Sequence, residues 1–286
     1  MKIPFLMILT SLYLVASTAF ISSTELKAKI HEKKLVLLDV TDEKTYKSGH
    51  IPNAIRVDSS AFRHQVKKYQ LMNSPDKVQV VAQSLGINND SDVVIYGHGQ
   101  EKELLKESYI ALSLITNGAN NISILDGGYP DWIFENKEIT SVKTPKIQKG
   151  NFISKFNPNI LVDLKYVEDK INKVPMLESR PPRFYCGAAQ SKGVRRLGHI
   201  PHAMSSFWKD KFNPDETILT KKELEDIYIK GHKLNPNKEV IIYCTGGLEA
   251  SMNWYIAKKE LGFKKVKIYD ASMREWGNRD DTPMEY

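Results

Sequence analysis

Two short stretches decide the fold: VVIYGHGQ at residues 93–100 and VIIYCTGG at residues 240–247. Each opens with a β-branched run that reads as a buried parallel strand, and each closes in a glycine-containing turn. A long helical pattern follows each turn, KELLKESYIALSLI (102–115) after the first and LEASMNWYIAKKEL (248–261) after the second. Gly118 and Gly262 stand where those helices end and a left-handed cap is wanted. Further strands follow, ISIL (122–125) and VKIY (266–269), then Asp126-Gly127-Gly128 and Asp270-Ala271-Ser272, then Trp132 and Trp276. Upstream, GHIPNA (49–54) answers GHIPHA (198–203). One unit therefore occurs twice. The expectation is an α/β protein of two tandem domains, each a mostly parallel sheet flanked by helices.

The remaining punctuation agrees with this scheme. Ser74 and Pro75 supply an N-cap and a first-turn proline for VQVVAQSLG (78–86), and Thr220 with Glu223 forms a capping box ahead of LEDIYIKG (224–231). Residues 140–159, rich in Lys, Asn and Pro and without a sustained period, read as connecting chain. The expected division is a leader over 1–19, a first domain over 24–141, a linker over 142–159 and a second domain over 160–286. The leader has one charge at Lys2, an apolar run from Ile3 to Ala16 and the small residues Ser17-Thr18-Ala19, the pattern of a cleaved secretory signal. That run is short for a bilayer-spanning helix. The expected location is therefore exported, periplasmic or secreted, with no stable membrane span after cleavage.

Composition narrows the function. With 286 residues, 41% hydrophobic and 26% charged, the chain is neither fibrous nor disordered. The net charge of +7 is spread in single and paired lysines, without the aromatic-interleaved basic cluster of a nucleic-acid binder. Only Cys186 and Cys244 are present, too few for a disulfide scaffold or a thiolate zinc site.

Cys244 draws attention by its place. A thiol at the end of a buried strand, in a turn that enters a helix, sits where orphan N–H groups and the positive helix end favour a thiolate. Gly246 and Gly247 let the loop curl into an anion nest. The bland alternative is a small buried hydrophobe in a strand-to-helix turn. YCTGGLEAS, IYDASMREW and GHIPHA together resemble the C-terminal half of a tandem-domain rhodanese, of the thiosulfate and 3-mercaptopyruvate sulfurtransferase family. The resemblance covers nearly the whole chain after the leader. It implies a six-residue loop, Cys244, Thr245, Gly246, Gly247, Leu248 and Glu249, whose cysteine forms a persulfide. It also implies a non-catalytic first domain, since Gly97 stands where that copy would carry the cysteine. LLDVT (37–41) and MLESR (176–180) place Thr41 opposite Arg180, and the resemblance gives Arg180 a role in binding the anionic donor.

The implied reaction is a double displacement in which Cys244 takes the outer sulfur of thiosulfate and passes it to cyanide or a thiol, with neither metal nor cofactor. Thr245-Gly246 fits neither the basic pattern usual for thiosulfate nor the Gly-Ser pair usual for mercaptopyruvate, so mercaptopyruvate is the second donor and a persulfide carrier without turnover the second class. Glu249 is expected to point outward and to favour the helix start. Cys186 reads as a semi-exposed bystander, with a disulfide to Cys244 as the alternative. His50 and His199 recur in both copies and so read as structural, as do Trp132 and Trp276, and Arg195 and Arg196 read as solvated. A cysteine phosphatase is the nearest enzymatic rival and is disfavoured because Ala250 stands where its seventh loop residue, an arginine, would be needed.

Overall fold

The β-branched runs become the central strands of two sheets. The computed structural model describes residues 18–135, 138 and 145–286, so the apolar leader lies outside the described residues up to Ser17. The first half contains β1 (Phe20–Ile21), β2 (Leu35–Asp39), β3 (Ile55–Arg56), a hairpin of β4 (Arg63–Val66) and β5 (Tyr69–Met72), β6 (Asp92–Tyr96) and β7 (Ile122–Leu125). Its parallel sheet has the order β1-β7-β6-β2-β3. The second half contains β8 (Met176–Glu178), β9 (Met204–Ser205), β10 (Glu239–Tyr243) and β11 (Lys265–Ile268), in the order β11-β10-β8-β9. A parallel bridge from Leu161 to Ile268 stands where β1 stands in the first sheet, and an antiparallel bridge from Phe212 to Ile218 takes the place of the β4–β5 hairpin.

Helices α1 (Ser23–Lys29), α2 (Glu43–Ser48), α3 (Pro75–Ser84), α4 (Glu101–Thr116) and α5 (Gly128–Phe134) cover the first sheet. Helices α6 (Leu164–Lys170), α7 (Pro182–Tyr185), α8 (Lys221–Glu225), α9 (Leu248–Tyr255) and α10 (Ser272–Trp276) belong to the second. Pro75 opens α3, and the Thr220–Glu223 capping box is closed on both sides. Gly118 (φ 96) and Gly262 (φ 68) adopt the left-handed conformation that stops α4 and the π-helical continuation of α9. Helices α4 and α9 pack on each other between the halves, where Ser108 and Ser251 share a hydroxyl hydrogen bond of 2.8 Å. Small side chains there let one apolar core run through both halves, from Leu38, Ile95 and Ile110 to Ile242, Met252 and Ile268.

The Gly-His-Ile-Pro turns are braced alike. Tyr96 Oη accepts the Ile51 N–H at 3.0 Å, and Tyr243 Oη accepts that of Ile200 at 3.1 Å. His50 stacks on Tyr46 and His199 on Tyr185, each with Nδ1 2.8 Å from the carbonyl of the residue it stacks on. Both rings are spent on holding a turn. Trp132 and Trp276 are fully buried, their indole N–H groups donating to the carbonyls of Glu138 and Pro283.

The connecting chain is less free than its composition suggests. Residues 150–157 lie along the first half, with Gly150, Phe152, Lys155 and Asn157 donating backbone hydrogen bonds to Gln83, Ile87, Asn117 and Thr116, and with Phe152 buried. A Cβ on Gly150 would stand 2.1 Å from the Ile87 carbonyl oxygen, so this contact selects glycine. At the other end, Thr18 and Ala19, the last residues of the expected leader, accept hydrogen bonds from Ser123 Oγ and from the Ile124 N–H.

Candidate active site

Strand β10 delivers Cys244 to the C-terminal edge of the second sheet, and the chain turns at once into α9. The sulfur is fully buried and accepts hydrogen bonds from Gly246 N–H (3.4 Å) and Gly247 N–H (3.1 Å). Gly247 makes this curl possible: its φ is 90°, and a Cβ there would stand 2.0 Å from Asp270 Oδ1. Behind the loop, Ser272 Oγ accepts the Cys244 N–H at 3.1 Å and donates to the Tyr269 carbonyl at 2.6 Å.

Two expectations about this loop are corrected. Glu249 does not point away. Its carboxylate turns into the loop, accepts the Thr245 N–H at 3.3 Å and lies in hydrogen-bonding contact with the Cys244 thiol. The resting sulfur is not a stabilised thiolate. Burial, and after it the Glu249 charge, push the Cys244 thiol up to about 12, although the loop amides pull the other way. Glu249 is itself raised, by burial first, because Thr245, Cys244 and Arg180 compensate only part of its desolvation.

Arg180 is brought near but is committed elsewhere. It is 1% exposed; its Nε donates to Glu178 Oε1 (2.7 Å) and Oε2 (2.9 Å), and Nη2 donates to Glu178 and to the Gly198 carbonyl (2.8 Å). Thr245 Oγ1 lies 3.1 Å from Ser191 Oγ, and Leu248 begins α9 against the core. Cys186 is an exposed free thiol. Arg195 pairs with Asp280, whereas Arg196 is spent on the carbonyls of Trp276 and Thr282.

The first copy shows why it carries no nucleophile. Its loop amides are already occupied by an internal carboxyl group: Glu103 Oε2 accepts the His98 N–H at 2.6 Å and the Gln100 N–H at 3.3 Å. A Cβ on Gly97 would stand 2.6 Å from Glu103 Cβ and 2.9 Å from Glu107 Oε1. Glu107 is held well above the usual carboxylate range by burial and then by Glu103.

Four residues of the site escaped sequence reasoning. Arg63, in the first half, donates to the Gly246 carbonyl at 2.6 Å and stacks 4.5 Å over the Tyr109 ring. Tyr109 Oη (2.9 Å) and Met72 N–H (2.7 Å), also from the first half, both donate to Asp270 Oδ2, beside Gly247. Arg274 extends across Gly246. No local pattern marks contacts made across such sequence separations. The recurrence of Asp126 and Asp270 was the one available signal: Asp126 Oδ1 accepts the Ile218 N–H at 2.8 Å, so each half holds the other through its aspartate.

The rhodanese-like domain model matches residues 22–135 and again 163–279. A thiosulfate sulfurtransferase of Corynebacterium glutamicum is 26% identical over 277 residues, covering 93% of this chain and 89% of that protein. A 3-mercaptopyruvate sulfurtransferase of Escherichia coli K12 is 30% identical over 246 residues, 84% of each chain. A solved structure of an anaerobic ergothioneine biosynthesis enzyme from Chlorobium limicola superposes with a TM-score of 0.80 at 21% identity, covering 93% of this chain and 70% of that one, a likeness of fold.

Proposed function

The chain belongs to the rhodanese family of sulfurtransferases, with the family's domain present twice, and from that premise we propose that it moves a sulfane sulfur from thiosulfate to cyanide or a thiol through a persulfide on Cys244. One observation carries this reading: the Cys244 sulfur sits at the end of β10 with the Gly246 and Gly247 N–H groups aimed at it. Preorganised donors of this kind stabilise negative charge as it develops.

In the first half-reaction the Cys244 thiol loses its proton to solvent and the thiolate attacks the outer sulfur of thiosulfate. A new S–S bond forms, the donor's S–S bond breaks, and sulfite leaves with the electron pair. In the second, cyanide or a thiolate attacks the outer persulfide sulfur and the Cys244 thiolate departs. The same loop amides serve both steps, because each leaves an anionic sulfur at one place. The chemistry calls for neither metal nor organic cofactor.

The test is incubation with thiosulfate followed by peptide mass analysis. A gain of one sulfur atom on the Cys244 peptide, absent from Cys244→Ser, supports the reading; no gain overturns it. Mercaptopyruvate is the second donor, favoured by the absence of a basic side chain at Gly246 and by the resemblance to the E. coli relative, and initial rates with the two donors decide between them. We place the protein in an exported compartment on the leader's pattern; amino-terminal sequencing of protein recovered outside the cytoplasm tests that placement.

A further inference from the structure

An anionic donor needs a cation at the loop, and Arg180 is already paired with Glu178. Arg274 is not. Its backbone N–H donates to the Thr245 carbonyl at 2.9 Å, which pins the start of α10 to the loop. Its side chain then lies across Gly246, where an ideal Cβ would stand 3.2 Å from Arg274 Cδ and 3.3 Å from Nη1. The guanidinium thus occupies the space into which a side chain at Gly246 would grow. Among the described residues it has no hydrogen-bond or ion-pair partner, an unusual state for a half-buried arginine.

Next to the guanidinium, across Gly193, lies a cavity of about 420 Å³ lined by Lys68, Ser191, Lys192, Gly193 and Arg195 among others. Arg274 Nε would lie 3.6 Å from a Cβ on Gly193, and Ser191 Oγ lies 3.1 Å from Thr245 Oγ1, so this cavity adjoins the Cys244 loop on both counts. Arg195 is neutralised by Asp280, whereas Lys68 and Lys192 have no ion-pair partner among the described residues. Glu275, next to Arg274, is held by the hydroxyls of Tyr69 and Tyr269.

We propose that Arg274, seconded by Lys192 and Lys68, binds the anionic end of the sulfur donor beside the Cys244 loop and sets the preference for charged donors. This rests on the persulfide reading above. A guanidinium presents two parallel N–H donors to a sulfonate or carboxylate, and a half-buried setting screens the contact less than bulk water would. Lys68 sits at the tip of the β4–β5 hairpin, so the half without a nucleophile contributes charge to the donor site.

The test pairs two readouts on wild type, Arg274→Gln and Arg274→Lys. The first is steady-state turnover with thiosulfate and cyanide. Arg274→Gln is expected to lose about 10- to 100-fold in kcat/KM, chiefly through KM, with partial rescue by Arg274→Lys. The second is alkylation of Cys244, read on its own peptide, by anionic iodoacetate against neutral iodoacetamide. The iodoacetate-to-iodoacetamide ratio is expected to fall about tenfold in Arg274→Gln while the iodoacetamide rate stays within about threefold of wild type. An unchanged ratio with an unchanged KM overturns the proposal. A ratio that falls in Arg274→Gln, when the wild type takes no sulfur from thiosulfate, upholds the anion site and removes the thiosulfate reading instead.

Discussion

Replacing Glu249 with Gln keeps the size and the capacity to accept the Thr245 N–H but removes the charge beside the sulfur. In the native loop, burial and then that charge hold the Cys244 thiol at about 12. At pH 8 such a thiol is thiolate in only about one molecule in ten thousand. A like charge within a few ångströms is worth about 1–3 pH units, and as Glu249 is the lesser of the two causes, a fall of about one unit is the consistent figure. That raises the thiolate fraction about tenfold. A less basic thiolate is also a weaker nucleophile, with a Brønsted slope of about 0.4–0.5, so the net gain in alkylation by neutral iodoacetamide at pH 8 is about threefold. The pH profile carries a sharper signature. Glu249 itself is raised, so as pH climbs through its titration the growing carboxylate charge raises the Cys244 pKa and cancels part of the gain in thiolate. The wild-type plot of log rate against pH should therefore flatten over that stretch, whereas Glu249→Gln should rise steadily. Peptide-resolved alkylation between about pH 5 and 9 gives both numbers. A variant that is slower than wild type at every pH would refute the reasoning and make Glu249 a proton acceptor.

Three further outcomes follow from the geometry. Gly97→Cys in a Cys244→Ser background should gain no sulfur from thiosulfate and should lower stability by about 1–3 kcal/mol, because the new Cβ meets Glu103 at 2.6 Å; adding Glu103→Ala should recover part of that stability, read by thermal unfolding. Arg63→Met should cost about 3 kcal/mol of stability, since it leaves the Gly246 carbonyl without its donor and the buried Asp270 without a nearby cation, and turnover should fall through kcat; stability within about 0.5 kcal/mol of wild type would sink the bracing role. Gly150→Ala should destabilise the first half by about 2 kcal/mol or more through its clash with the Ile87 carbonyl; a neutral substitution would mean that the connecting chain does not pack there.

Much of the fold was legible because the repeated signals are local. The runs at 93–96 and 240–243 became β6 and β10, the glycines at 118 and 262 took the left-handed angles their positions demanded, and Gly97 and Cys244 fell at equivalent strand ends. Less of the site was legible, because its decisive groups meet across the chain. The outward expectation for Glu249 weighed only the helix start, where an exposed acid is favourable, and missed that the Thr245 N–H lies within the loop and needs an acceptor. Arg180 was read from a resemblance that says which residue stands there and nothing of Glu178 two positions earlier, whose burial demands a cation. The connecting chain looked free because hydrogen bonds to backbone carbonyls leave no trace in side-chain composition.

The two loops solve one electrostatic problem in different ways. Each turn directs amide N–H groups at a point beside a strand end, and an acceptor must satisfy them. In the first copy Glu103 supplies that acceptor from within, and the glycine at 97 is what leaves room for it. In the second the sulfur takes the place, and Glu249 is turned aside onto the neighbouring amide, close enough to oppose the thiolate without displacing it. The resting thiol is thereby kept protonated and protected from casual oxidation, which follows thiolate character and exposure. Activation then depends on a donor bringing its own compensation beside Gly246, where the Arg274 guanidinium lies. A brake within the loop and an anchor beside it make reactivity depend on donor binding, and the first half serves that arrangement through Arg63 on the loop and Lys68 at the cavity.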